Sequence, residues 1–189
     1  MRLYIIRHGQ TENNIKGLFT GWADNVLLTE KGIKDAQELQ SFFKNKKFDR
    51  IYSSDLKRAV QTAKTVIPDC TPEETMLLRE IDVGSLLGKP FSMCDEKCRA
   101  NRNYTDYGGE NTEMLTKRIE KFLKMLENSD YENVAAFSHG GYLIAMLAYV
   151  LKQPVSTSYL KCPNCTVAVF EYENVWKLRS WIDPEILKP

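Results

Sequence analysis

The sequence predicts an α/β fold built from βαβ units, with an antiparallel hairpin at one edge. Three observations carry that prediction. Short apolar runs alternate with segments of helical period along most of the chain. Three of those runs end in polar loops containing glycine or serine, as buried strands do. Near its end the chain changes style, to two β-rich runs about one turn apart. No internal repeat, low-complexity tract or charge block interrupts the 189 residues, so one domain over 1–189 is expected.

The elements follow in order. Leu3–Ile6 is a buried strand that runs into Arg7-His8-Gly9. Thr29 can cap a helix whose apolar positions Ile33, Ala36, Leu39 and Phe43 fall on one stripe. Arg50-Ile51-Tyr52 is a second strand. Ser53-Ser54-Asp55 then offers N-cap residues for a helix reaching about Ile67, with Pro68 as its stop. Leu115, Ile119, Phe122, Leu123 and Leu126 mark an amphipathic helix. Val134–Phe137 is a third buried strand, closed by Ser138-His139-Gly140-Gly141 and followed by an apolar helix from Leu143 to Leu151. Thr166–Tyr172 and Val175–Trp181 form the terminal hairpin. The stretch 87–110 has little periodicity and contains Pro90, Gly108 and Gly109. A long irregular connection of this kind reads as a lid-like insertion over a site.

Composition excludes several classes. Lys plus Arg is 26 against 25 for Asp plus Glu, a net charge of +1. That balance argues against a nucleic-acid or anionic-membrane partner. There is no apolar run of transmembrane length and no signal-peptide pattern at the start, so a cytoplasmic location is expected. Five cysteines without a framework spacing predict free thiols. Cys162-Pro163-Asn164-Cys165 has the C-x-x-C form and Cys94 with Cys98 is a C-x-x-x-C, but the pairs sit before an edge strand and in an irregular loop without a strong spacing signature, and no metal is expected.

Ligands of open α/β sheets bind beyond the carboxyl ends of the strands. Three such ends here supply Arg7 and His8, then Arg58 one helical turn further on, then His139. Guanidinium forks suit phosphate oxygens, and imidazole serves as nucleophile, acid or base near neutral pH. The set reads as an anion site, with phosphate the leading candidate.

Arg7-His8-Gly9-Gln10-Thr11-Glu12 resembles the R-H-G-x-T signature of the histidine phosphatase superfamily, in its phosphoglycerate-mutase-like branch 1. Further blocks are similar in the family's order. They are Asn14, Phe19–Asp24, Leu28–Gly32, Ser53–Ala59 with Gln61–Ala63, Leu78–Gly84, Gly109-Glu110-Asn111, Ser138–Gly141, and Asn164-Cys165 before the last strands. Asn111 stands where the family's G-E-S segment has serine. The resemblance implies a three-layer α/β/α fold with a mostly parallel sheet and an antiparallel edge strand.

It also implies roles. His8 is expected to attack phosphorus, with its other ring nitrogen held by a backbone carbonyl that fixes the tautomer. Arg7, Arg58 and His139 are expected to hold the phosphoryl oxygens, with Asn14 adding a neutral hydrogen bond. Glu80 is expected to protonate the leaving oxygen and then activate water, with Asp82, Glu12 and Glu110 as competing acids. Gln10, Thr11, Thr20, Gly21 and Gly140 are expected at the substrate end, although loop capping and turn geometry account equally well for the first two and for Thr20 and Gly21. Tyr104 and Tyr107 are the tyrosines expected near substrate. No cofactor is required.

The implied activity is hydrolysis of a small phosphorylated metabolite. The mutases of this pattern are longer and carry an R-H-Y-G acid loop, whereas this chain reads Arg79-Glu80-Ile81-Asp82-Val83-Gly84. Phe19-Thr20-Gly21-Trp22 is the mutase-like feature, so phosphoglycerate mutase is the alternative, and a non-catalytic phosphate binder the third reading. The terminal hairpin leaves an edge that could pair with a second copy as a homodimer.

Overall fold

The computed structural model describes residues 1–23, 25–155 and 160–187. Six strands among them form one sheet: β1 (Arg2–Arg7), β2 (Arg50–Ser54), β3 (Glu73–Thr75), β4 (Asn133–Ser138), β5 (Val167–Tyr172) and β6 (Trp176–Ile182). Their order is β3-β2-β4-β1-β5-β6. The first four are mutually parallel, while β5 runs antiparallel to β1 and β6 antiparallel to β5. The helices are α1 (Glu12–Lys16), α2 (Glu30–Glu38), α3 (Gln40–Phe43), α4 (Lys57–Val66), α5 (Glu96–Asn101), α6 (Thr112–Glu127) and α7 (Gly140–Leu151).

Side-chain alternation along the strands makes two cores, one on each face of the sheet. Leu3, Ile5, Val134 and Ala136 point to one face, where Leu115, Ile119 and Phe122 of α6 and Leu143 of α7 meet them. Tyr4, Ile6, Ala135 and Phe137 point to the other, against Ala36, Leu39, Phe43 and Ala63. The result is three layers, α/β/α. Covering on both faces explains why β1 and β4 read as continuous apolar runs. Each fully buried Leu, Ile or Phe contributes about 1.5–3 kcal/mol.

Local signals explain most element ends. Thr29 caps α2 by accepting from the Gly32 amide at 3.0 Å. The helix expected through Phe43 is broken at Leu39 into α2 and α3, yet Ala36, Leu39 and Phe43 still share the buried stripe. The expected capping by Ser53-Ser54-Asp55 is not made. α4 begins after Leu56 without a side-chain cap, because Ser53 and Ser54 belong to β2 and Asp55 is paired with Arg79. Three short elements carry too little period to be read beforehand: α1, β3 and α5.

The 87–110 stretch is ordered around α5 and clamped to the loop after α1. Phe19 donates its amide to Lys89 O, and Gly88 its amide to Phe19 O, both at 2.9 Å. The Phe19 ring meets Phe91 and Tyr104 edge-on, at 4.9 and 5.7 Å between centroids. The cysteine expectation needs correction here. Cys94 and Cys98 are joined, with S–S 2.31 Å and Cα–Cα 6.3 Å. Cys94 directly precedes Asp95, which caps α5 by accepting from the Cys98 amide at 2.6 Å, so the first turn brings the two sulfurs together. Cys70, Cys162 and Cys165 are free. Asp24, the end of the Phe19–Asp24 block, lies outside the described residues. Among the described residues no helix is long and apolar enough to cross a membrane.

Candidate active site

Parallel register builds the centre of the site. Arg7 of β1 pairs with Ser138 of β4, so the next residues, His8 and His139, emerge side by side with ring centroids 5.2 Å apart. His8 Nδ1 lies 2.7 Å from Gly9 O. A carbonyl can only accept, so Nδ1 carries the proton and Nε2 is left with its lone pair. Burial holds the His8 pKa well below the usual histidine range, and the Arg58 and Arg7 charges lower it further. The nucleophile expected from sequence is thus held neutral.

His139 is fully buried. Its pKa is also pushed well down, by burial first, then by Arg58, His8 and Arg7. Its Nε2 lies 2.9 Å from Ser54 Oγ. That hydroxyl also accepts from the Leu56 amide at 3.3 Å. Its Nδ1 is buried and has no hydrogen-bond partner among the described residues. Arg58 lies fully buried in the first turn of α4.

Above these groups opens a cavity of about 510 Å³ lined by Arg7, Asn14, Thr20, Glu80, Gly140 and Tyr104, among others. Arg7 donates through Nη1 to Cys162 O. Its Nε is buried without a partner among the described residues. Asn14 Oδ1 accepts from the Thr11 amide and from Asn164 Nδ2, each at 3.1 Å. With its oxygen so engaged, the Asn14 amino group is the part left for the cavity. Asn164 Nδ2 also donates to His8 O at 3.0 Å, tying the two together.

Glu80 is held by the main chain. Its Oε1 accepts from the Ile81 amide and its Oε2 from the Gly141 amide at the start of α7, both at 2.9 Å. A Cβ on Gly141 would lie 2.3 Å from Glu80 Oε1, and one on Gly140 would lie 3.1 Å from Arg7 Nε. The two glycines therefore let the helix end approach both side chains. The competing acids are occupied elsewhere. Both oxygens of Glu110 engage Arg118, Asp82 Oδ1 accepts from the Gly84 amide, and Glu12 is exposed beside Lys16.

A frame that sequence reading missed holds the Glu80 loop. Arg118 of α6 donates to Glu110 at 2.7 and 3.0 Å, to Arg79 O at 2.9 Å and to Glu80 O at 3.0 Å. Trp22 Nε1 donates to the same Glu80 carbonyl at 2.7 Å. Its ring meets the Arg79 and Arg118 guanidiniums at 5.0 and 5.4 Å. The available signal was an arginine set inside the apolar stripe of α6, between Leu115 and Ile119.

Three of the expected catalytic residues, His8, Arg58 and His139, are not among the residues that line this cavity, although His8 follows Arg7 and His139 precedes Gly140, which are. Three of the expected substrate contacts do not line it either. Thr11 is the N-cap of α1, with a reciprocal box to Asn14. Gln10 Oε1 accepts from Thr29 Oγ1 at 3.1 Å, at the start of α2. Gly21 faces Val83 and Leu87. Capping engages the Thr11 and Gln10 side chains. Tyr104 lines the cavity, whereas Tyr107 packs against the core.

Comparison with known proteins gives the same arrangement a wider setting. Residues 3–184 match the histidine phosphatase superfamily (branch 1). An adenosylcobalamin/alpha-ribazole phosphatase from Salmonella typhimurium is 33% identical over 168 residues, covering 83% of each chain. A 2,3-bisphosphoglycerate-dependent phosphoglycerate mutase from Cytophaga hutchinsonii is 30% identical, covering 94% of this chain and 91% of its own. Among solved structures, the mycobacterial glucosyl-3-phosphoglycerate phosphatase complexed with VO3 superposes with a TM-score of 0.80 at 26% identity, covering 95% and 98%. The relatives are phosphatases and mutases, and both kinds share this chain's extent and fold. Two strand-end histidines, the arginines beside them and a match spanning nearly every described residue thus lead to one conclusion: this chain belongs to branch 1 of the histidine phosphatase superfamily.

Proposed function

We propose that the protein is a phosphomonoester hydrolase that works through a phosphohistidine on His8. The observation that carries this reading is the state of His8: Nδ1 is locked on Gly9 O and the ring is held neutral beside two arginines. In the first step His8 Nε2 forms a bond to phosphorus while the bond from phosphorus to the ester oxygen breaks. Glu80 gives its proton to that oxygen. In the second step water attacks phosphorus, Glu80 takes a proton from it, and the phosphorus–nitrogen bond breaks to release inorganic phosphate. Arg7, Arg58, His139 and Asn14 hold the phosphoryl oxygens, each such donor being worth roughly 10²–10³ in rate. These roles need no metal. The substrate is a small phosphorylated metabolite and the setting cytoplasmic.

The test is hydrolysis of p-nitrophenyl phosphate by the purified protein and by His8→Ala. The wild type turns over and the variant loses activity by on the order of 10³-fold or more. A variant that keeps most of the activity would refute the mechanism. The relation to a phosphoglycerate mutase favours one second reading, phosphoryl transfer between 2- and 3-phosphoglycerate. It would appear as their interconversion, stimulated by a bisphosphorylated primer.

A further inference from the structure

His8 keeps its tautomer only while Gly9 O stays against its Nδ1, and Gly9 has no side chain of its own to hold that carbonyl in place. Glycine also has the widest backbone freedom of any residue. The ψ angle of His8 and the φ angle of Gly9 decide where Gly9 O lies relative to the ring, and both turn the rigid peptide between the two residues. That peptide is held on each side. Its carbonyl, His8 O, accepts from Asn164 Nδ2 at 3.0 Å and from the Cys165 amide at 3.3 Å. Its N–H, on Gly9, donates to Thr62 Oγ1 at 3.0 Å. A Cβ on Gly9 would lie 2.6 Å from Gly32 O, so no side chain at that position could take over the task.

Thr62 is fully buried on α4, one turn beyond Arg58, and is not among the residues lining the cavity. Its hydroxyl donates to Arg58 O at 2.7 Å. A hydroxyl has one proton, so with that proton on Arg58 O the oxygen meets the Gly9 N–H with a lone pair. Bonding back to the carbonyl one turn earlier adds nothing to helix stability. Here it fixes the direction of the hydroxyl. One oxygen thus joins the main chain of Arg58 to that of Gly9, and the arginine and the histidine are set relative to each other from behind the site.

We propose that Thr62 is a positioning residue for the phosphoryl transfer. Through the Gly9 peptide it keeps His8 with hydrogen on Nδ1 and the lone pair on Nε2, and through Arg58 O it sets that arginine against the same ring. The proposal rests on the reading of His8 as nucleophile, but the hydrogen pattern of the ring is observed without any turnover. A threonine that only filled space would be replaceable by valine, which has its shape, with no change in the His8 ring.

The experiment compares Thr62→Val, which removes the hydroxyl and keeps the shape, with Thr62→Ser, which keeps the hydroxyl and removes the methyl. The chain has two histidines, so a long-range proton–nitrogen correlation spectrum of labelled protein holds two imidazole ring systems, and His8→Ala identifies that of His8. Wild type and Thr62→Ser should carry the His8 hydrogen on Nδ1 alone, whereas Thr62→Val should share it between the two nitrogens. On p-nitrophenyl phosphate, kcat should fall about 30-fold in Thr62→Val with KM within about threefold, and Thr62→Ser should stay within about threefold of wild type in both. An unchanged His8 ring in Thr62→Val overturns the proposal, whatever happens to its activity, as does an equal loss of activity in the two variants. Should Thr62→Val fail to fold, the wild type still decides. Its Gly9 amide should exchange with solvent as slowly as the buried amides of β1, and rapid exchange there, or a His8 hydrogen on Nε2, overturns the proposal. Turnover separates the two levels of the argument. A His8 ring that responds as expected in a wild type that does not hydrolyse phosphomonoesters sinks the hydrolase reading alone. Good wild-type turnover with an unresponsive ring sinks the positioning role alone.

Discussion

The floor and the rim of the cavity are built differently. The floor is the strand-end group next to the lining residues Arg7 and Gly140: His8, Arg58 and His139 are buried there, at or just beyond strand ends, where register and backbone hydrogen bonds leave them little freedom. At the rim, Phe91, Arg102 and Tyr104 stand on short turns and a six-residue helix, held by ring contacts and a few main-chain bonds. The floor is made from long-range pairing and the rim from local chain. The first suits a fixed reaction, which needs groups preorganised where charge develops. The second suits specificity, which can change by substitution without disturbing the sheet. Glu80 lies where the two meet, carried by a loop that Arg118 and Trp22 tie to the end of the 87–110 stretch at Glu110.

That junction is the place to break the comparison first. Arg118→Met leaves Glu110 buried without its cation, so stability should fall by about 3 kcal/mol, read by chemical denaturation. Adding Glu110→Gln should recover much of the loss. If Arg118→Met is neutral, the rim is not anchored to the acid loop as described.

A smaller change probes the floor's approach to the acid. Gly141→Ala places a methyl where Glu80 Oε1 now sits. The rate on p-nitrophenyl phosphate should fall about 100-fold, within the range expected for a misplaced catalytic group. The loss should be smaller for 2,4-dinitrophenyl phosphate, whose leaving group needs little protonation. Equal losses on the two substrates would remove Glu80 from the proton-donor role.

The smallest effect is on pH dependence, and it belongs to the floor alone. The unfolded chain protonates His8 and His139 near 6.5, while the folded chain resists protonation until well below that. The stability they contribute is therefore complete above about pH 6.5 and is lost as pH falls. The expected slope is about 0.7 kcal/mol per pH unit for each histidine at that point and approaches about 1.4 roughly one unit below it. Denaturant midpoints at pH 7.5 and 5.5 should differ, and His139→Asn should shrink the difference. A midpoint gap unchanged in that variant would contradict the neutral, buried state of His139.

The same contrast explains what the sequence discloses. Apolar runs at β1 and β4 and the stripe of α6 are legible because burial on both sheet faces imposes a pattern. The histidine-bearing loops are legible because their residue types are uncommon and adjacent in the chain. Ser53 and Ser54 mislead because one residue type serves as both cap and strand end, and here the site claims Ser54 for His139. Gln10 and Thr11 show the same double use from the other side, since their side chains are engaged at the starts of α2 and α1. Arg118 is invisible, and Asn164 shows only as part of a block and not by its role, because their work is done across long sequence separations, 38 residues to Glu80 and 156 to His8. The 87–110 stretch has no period to read, because its order comes from contacts with Phe19.

The central claim is that His8 is the nucleophile. The direct measurement is rapid acid-free quenching of the protein during turnover of p-nitrophenyl phosphate, followed by mass analysis of the peptide containing Arg7-His8-Gly9. A phosphoryl adduct on His8 that is stable in base, lost in acid and absent from His8→Ala is the predicted result. Turnover with no adduct on His8, or with an adduct on His139 instead, would contradict it.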